Sequence, residues 1–190
     1  MEGTMQPHMT DAEVTQFELQ LAGLSSLLEF GSGGSTVVAA RQVRKIVSVD
    51  SNPGWLTRVH AEVTRHAVDF TPVHIDIGPV VEWGYPADES RLRDWPRYHT
   101  HIWRVVGGSP DAVLIDGRFR VACLLQAIIH CKPDCIFLFH DFNDRPQYHT
   151  ILRHADVLMR VDTLAVLRAK QQVDGKAVLH DLFDYYLDPD

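Results

Sequence analysis

The sequence predicts an α/β fold, a doubly wound parallel sheet with helices on both faces. Three observations carry that expectation. Short apolar runs alternate with segments of helical spacing, the pattern of repeated βα units. The first run, Leu27-Leu28-Glu29-Phe30, passes into a glycine-rich turn, Gly31-Ser32-Gly33-Gly34, then into Ser35, Thr36 and a helical pattern. Later runs end near carboxylates, at Asp50, Asp76, Asp116 and, after His140, Asp141. Ligands of open α/β sheets bind outside the carboxyl ends of the strands, so these endings mark one edge of the sheet as the working edge.

The elements follow in order. Thr10-Asp11 offers an N-cap, with Glu13 in the first turn, for a helix reaching about Ala22. The first strand is Ser26 to Phe30, and a short helix with Val37, Val38 and Ala40 begins near Ser35. Lys45 to Val49 is the second strand. Trp55, Leu56, Val59 and Val63 then repeat at helical spacing. Val73 to Ile77 reads as the third strand. A long irregular passage, Pro79 to Tyr98, is rich in Pro, Trp, Tyr and charge; passages of this kind are usually lids or binding segments. A helix is expected over Tyr98 to Val106, a fourth strand over Ala112 to Ile115, a helix over Phe119 to His130 and a fifth strand over Cys135 to Phe139. A helix from Pro146 to His154, a strand pair at Val157 to Val161 and Leu164 to Arg168, and a helical tail from Ala177 to Tyr186 complete the pattern.

Glycine suits the first turn because it lacks a Cβ and lets a ligand approach the backbone. Asp50 is the residue type that grips ribose hydroxyls at the end of a second strand. Together they point to a nucleoside-containing cofactor. A dinucleotide turn reads G-x-G-x-x-G/A, and here Thr36 stands in the third position, which weakens an NAD reading without removing it. Glu29 would repel a pyrophosphate but attract an ammonium. S-adenosylmethionine (SAM) carries an ammonium and a sulfonium, and no phosphate. A turn that needs glycine for geometry alone is the remaining alternative.

Composition bounds the rest. A chain of 190 residues has the size of one domain, with residues 1–10 expected to be flexible and residues 11–190 to form a single cofactor-binding domain. The net charge of −7 argues against nucleic acid as a partner. Cys123, Cys131 and Cys135 are odd in number and close together, which fits free thiols in a reducing cytoplasm better than disulfides. Cys131 and Cys135 form C-x3-C with no second pair, so zinc is disfavoured. The apolar run Val121 to Ile129 is broken by Gln126 and too short to span a membrane, and the N-terminus lacks the pattern of a secretory signal.

Glu29-Phe30-Gly31-Ser32-Gly33-Gly34-Ser35 resembles the E/D-x-G-x-G-x-G motif of the Rossmann-like SAM-dependent methyltransferases, with Ser35 in place of the third glycine. Asp50, Asp76 and Asp116 fall where that family places its later motifs. Leu114-Ile115-Asp116-Gly117-Arg118-Phe119-Arg120 and Phe139-His140-Asp141-Phe142 are similar to a small-molecule subgroup. The resemblance covers Glu29 to Arg168 and implies a seven-stranded sheet whose last strand is antiparallel. It implies that the backbone of Gly31, Ser32 and Gly33 packs on the methionine part of SAM, that Glu29 attracts its ammonium directly or through water, and that Asp50 accepts the ribose hydroxyls. Asp76 would lie near the adenine amino group, Ile77 beside the base, and Asp116 between cofactor and acceptor.

Methyl transfer from a sulfonium asks mainly for alignment and exclusion of water. An oxygen or nitrogen acceptor also needs a proton sink. His140 titrates near neutrality and is the first candidate for a base, with Asp116 and Asp141 next. Asp116, His140, Asp141 and Asp144 could also form an oxygen-rich metal site. Phe142 stands where the familiar Asp-Asn metal pair has Asn, so no metal is expected. Arg118 and Arg120 could bind a carboxylate or phosphate of the substrate, or the protein's own carboxylates. Trp83, Tyr85, Trp95 and Trp103 suit an apolar lid, internal packing or a contact in a homo-oligomer. The expected function is SAM-dependent O- or N-methylation of a small molecule. The alternatives are a methyltransferase-like protein that binds SAM without catalysis, and an NAD-dependent Rossmann enzyme.

Overall fold

Strands that are apolar on both faces belong in the middle of a sheet covered on both sides. In the computed structural model, which describes residues 5–190, the strands are β1 (Ser26–Phe30), β2 (Lys45–Asp50), β3 (Asp69–His74), β4 (Ala112–Ile115), β5 (Ile136–Phe139), β6 (Ala155–Val161) and β7 (Leu164–Ala169). They form one seven-stranded sheet in the order 3-2-1-4-5-7-6. The first five strands run parallel, and β7 pairs antiparallel with both β5 and β6. The helices are α1 (Asp11–Leu21), α2 (Gly34–Ala39), α3 (Pro53–Val63), α4 (Arg97–Thr100), α5 (Trp103–Val106), α6 (Arg120–His130) and α7 (Gly175–Tyr185).

Period-two alternation along the strands divides the core. Leu27, Ile46, Leu114 and Leu138 pack on one face with Phe17, Leu21, Val37 and Val59 from α1, α2 and α3. Leu28, Phe30, Val113, Ile115, Phe137 and Phe139 pack on the other with α6, α7 and the excursion between β3 and β4. A capping box starts α1: Thr10 Oγ1 accepts from the Glu13 N–H (3.2 Å), and Glu13 Oε2 accepts from the Thr10 N–H (2.8 Å).

Three expectations shift. The third strand lies earlier than Val73 to Ile77, because Pro72, which cannot donate to a ladder, is accommodated in the edge strand β3; Asp76 and Ile77 therefore follow the strand. The helix expected over 98–106 is two short helices, with Thr100 Oγ1 bonded back to Pro96 O (2.7 Å) where the first one ends. Residues 146–153 are 3-10 rather than α. Of the expected flexible N-terminus, Met1 to Thr4 lie outside the described residues. Met5 and Met9 are half-buried against the core, and the Gln6–Pro7 backbone lies directly against Gly34.

The strand order reverses between β1 and β4, so a crevice is expected at their carboxyl ends. The two ends touch there. Asp116 N–H donates to Phe30 O (2.9 Å), and a Cβ on Gly31, whose φ is +95°, would lie 2.6 Å from Gly117 Cα. A Cβ on Gly33 would meet nothing nearer than Trp55 Cζ2, at 3.9 Å. Gly31→Ala should therefore lower unfolding stability by ~2–4 kcal/mol, and Gly33→Ala by less than about 1 kcal/mol, in urea titrations. Equal losses would contradict this account of the turn.

Candidate functional site

Glu29 faces α2 from the centre of the sheet and is fully buried. Its carboxylate accepts from Ser35 Oγ (2.6 Å), Thr36 Oγ1 (2.6 Å) and Ser48 Oγ (2.7 Å). Thr36 Oγ1 also accepts the Gly33 N–H (2.8 Å). The carboxylate thus sits beneath the turn, bonded to three hydroxyls, and not at its mouth where an ammonium could meet it. Burial pushes the Glu29 carboxyl up to about 7, against the lowering pull of the three donors.

Asp50 stands beside the turn, partly accessible. Its Oδ2 accepts from the Ser32 N–H (3.2 Å) and its Oδ1 from the Asn52 N–H (2.8 Å). Burial raises its carboxyl to about 6, with the backbone donors opposing. Ser32 is held from three sides: its Oγ bonds Ser48 Oγ (2.6 Å), its carbonyl accepts from Trp55 Nε1 (2.6 Å), and its N–H reaches Asp50. Asp76 is spent on its own turn, accepting from Gly78 N–H (3.0 Å), and on Arg91 (3.1 Å) in an exposed pair that is easily broken. Ile77 is fully buried, and its carbonyl takes the Trp95 indole N–H (2.9 Å).

The excursion roofs this region with aromatic rings. Tyr98 packs on Phe30 and Phe119, with centroids at 6.3 and 5.4 Å, and Trp95 packs on Phe119 at 5.8 Å. Tyr98 Oη sits so close to Gly117 that a Cβ there would collide with it. Tyr98 was not singled out as a site residue from the sequence; the spacing of Trp95, Tyr98 and Ile102 on one side of an excursion was the available signal.

A charged cluster lies at the ends of β4 and β5. His140 Nδ1 is 2.9 Å from Asp116 Oδ1, and Nε2 is 3.4 Å from Glu13 Oε2. Arg120 donates to Gly117 O (3.0 Å) and His140 O (2.6 Å) and pairs with Asp116 (3.3 Å) and Asp141 (3.0 Å). Burial works against the charged imidazole, but Asp116, Asp141 and Glu13 overcome it and hold His140 above its ordinary value. Asp116 and Glu13 move the other way. Burial would raise each, yet His140 and Arg120 hold Asp116 below the usual range, and the Thr163 and Thr10 donors do the same for Glu13. Glu13 is also the strap between α1 and the β6–β7 turn, accepting from Thr163 N–H (2.8 Å), Thr163 Oγ1 (2.6 Å) and Leu164 N–H (3.1 Å). Its capping role was legible in sequence; its contact with His140 was not, since 127 residues separate them.

A solved methyltransferase-like protein from Silicibacter pomeroyi is 30% identical, with a TM-score of 0.88, over 97% of this chain and 98% of that one. The chain belongs to this family of methyltransferase-like proteins. Two more distant structures share the fold. An O-methyltransferase from Bacillus cereus in complex with SAH (13% identity, TM-score 0.58) aligns over 86% of this chain and 84% of its own. An N-methyltransferase from Bradyrhizobium japonicum in complex with S-adenosylhomocysteine (14% identity, TM-score 0.54) aligns over 84% and 85%. No protein-family model and no curated protein matches the sequence.

Within this methyltransferase-like chain the two candidate arginines part company. Arg120 is consumed by β4 and β5, whereas Arg118 has buried Nε and Nη1 atoms without partners. Asp116, His140 and Asp141 lie within metal-binding distance of one another, but Arg120 and Arg145 already set positive charge against the two carboxylates. The three cysteines are free thiols. Among the described residues, no helix is long and apolar enough to cross a membrane.

Glu29 generates a pH prediction. Its folded-state pKa lies above the ordinary 4.5, so its contribution to stability is complete below that value and is lost as pH rises to about 7. Glu29→Gln, keeping the shape and the hydroxyl contacts, should remove this fall and gain up to ~3 kcal/mol over wild type at pH 8 relative to pH 4. Urea titrations across that range check it; parallel profiles for the two proteins would contradict it.

Proposed function

We propose that the chain is a SAM-dependent methyltransferase acting on an oxygen or nitrogen of a small molecule. The observation that carries this reading is the pairing of an open Gly33 face, after β1 beside the point where the strand order reverses, with Asp50 at the carboxyl end of the adjoining β2, in a chain of the methyltransferase-like family. The residues present fit the cofactor. Gly33 admits a group against the backbone, and each oxygen of Asp50 has a free lone pair beyond its backbone donors, as a ribose diol requires. Gly31 and Ser32 shape the turn, while Ile77 and Asp76 would border the base. Glu29 would act on the ammonium through the hydroxyls of Ser35 and Thr36. When bound, SAM supplies an electrophilic methyl on a sulfonium.

The chain's own residues then have three tasks. Trp95, Tyr98 and Phe119, buried against one another beside the turn, would keep water from the cofactor's side of it. Asp116, with its side chain 21% exposed against 6% for His140, is the group that meets the acceptor and takes its proton. His140 acts through Asp116: once neutral, it can receive that proton, and Asp141 stabilises the imidazolium. Because His140 titrates above its ordinary 6.5, turnover should rise with pH through that raised value. His140→Ala should abolish the rise and lower turnover roughly a hundred- to ten-thousandfold while leaving SAM affinity unchanged. Full activity in that variant would remove His140 from the reaction.

Binding without catalysis is a second reading, favoured by one observation: both His140 nitrogens already face carboxylates. Calorimetry and transfer of a labelled methyl group separate the two. SAM should bind and NAD should not, and Asp50→Ala should weaken SAM about ten- to a hundredfold. SAM binding should also strengthen as pH rises through about 6, since ribose hydroxyls donate to the ionised Asp50. SAM binding with no transfer to a broad acceptor panel would favour the second reading. Selective binding of NAD would defeat both.

A further inference from the structure

Resting on the methyltransferase reading, we infer that Arg118 is the subsite for a carboxylate carried by the methyl acceptor. Arg118 leaves β4 two positions beyond Asp116 and is only 5% exposed. Its Nε and Nη1 are buried with no hydrogen-bond partner. A buried cation with idle donors is unfavourable unless an anion completes it.

The surroundings narrow the choice of anion. Among the described residues no carboxylate lies within ion-pair distance of Arg118: Asp116 pairs with His140 and Arg120, Asp141 with Arg120 and Arg145, and Asp190 Oδ1 accepts from Tyr85 Oη. At the start of α6, Phe119 N–H donates to Pro189 O (3.1 Å) and Arg120 N–H to Asp190 O (2.7 Å). With Arg120 and Arg145 already paired to carboxylates, the idle cation is the one guanidinium of Arg118. A single negative charge on a planar group matches it, whereas a phosphate dianion would call for further donors. The Tyr85 ring lies on the guanidinium, its centroid 3.8 Å from Cζ, and leaves the in-plane donors as the face for the ligand.

Tyr85 is also the movable cover. The 3-10 turn before it, Glu82–Gly84, buries none of its residues. The cover is held by the Val80–Pro86 bridge, by Tyr85 Oη donating to Asp190 Oδ1 (2.8 Å), and by Trp83 against His8 (5.1 Å).

The Nε–Hε resonance of Arg118, identified by its loss in Arg118→Met, reports on this subsite directly. Acetate and benzoate titrated in low-chloride buffer should shift it saturably and raise the wild-type Tm. Their methyl esters should do neither, and inorganic phosphate should bind more weakly than either acid. Arg118→Met should keep or raise the Tm of the free protein and lose the response to both acids. In methyl transfer it should raise KM for acid acceptors about ten- to a hundredfold with SAM affinity unchanged. An unmoved resonance with both acids, an equal response to the esters, or an acid response that survives in Arg118→Met would overturn the subsite. SAM calorimetry keeps the two readings apart. Acids that bind to a protein indifferent to SAM leave the subsite and end the methyltransferase reading; SAM binding without acid binding does the reverse.

Discussion

A carboxylate buried with no cation beside it holds the working edge of this fold together. Glu29 joins β1 to α2 through Ser35 and Thr36, and to β2 through Ser48. Ser48 in turn bonds Ser32, and the Ser32 N–H bonds Asp50. The position of Asp50 is thus relayed from the centre of the sheet through a chain of short hydrogen bonds. A polar network in a low-dielectric interior rigidifies only when every member is satisfied, and this one is. The same burial that makes the network stiff keeps the Glu29 proton bound to near neutrality. Structural precision at the turn is therefore tied to pH.

A second network works by charge. Glu13, Asp116 and Asp141 face Arg120, Arg145 and His140 across the ends of β4 and β5. The balance closes when His140 carries its proton, and its raised pKa follows from that balance. Through Glu13 the cluster also fixes α1 and the β6–β7 turn. His140 bridges Asp116 to Glu13 at the helix cap, 127 residues from the histidine in sequence. Arg118 adds its charge to the lowering of Asp116 but makes no salt bridge in either network, and its Nε and Nη1 stay without partners.

Much of the fold was legible in the sequence because its signals are local. Apolar runs of strand length, the glycine-rich turn and the Thr10–Glu13 cap all act within a few residues. Alternation also held the answer for Glu29: sharing parity with Leu27, it had to point at the same face, toward α2. Charge alone points the carboxylate at an ammonium; direction places it beneath the turn. The position of β3 was lost because Pro72 argues against a strand until its place at the sheet edge is known. Arg118 and Arg120 are indistinguishable as sequence; only the return of β5 beside β4 gives Arg120 its partners. The aromatic roof depends on how the excursion folds back, and no local rule specifies that.

The central claim is that the cofactor site lies at the carboxyl ends of β1, β2 and β4, braced from below by Glu29. A crystal structure of the protein grown with S-adenosylhomocysteine tests it most directly. The account predicts the ribose hydroxyls on the Asp50 carboxylate, the ligand against Gly33, and the Glu29 contacts to Ser35, Thr36 and Ser48 unchanged. Ligand bound away from the β1, β2 and β4 ends, or a Glu29 carboxylate swung out to bind it, would contradict the account.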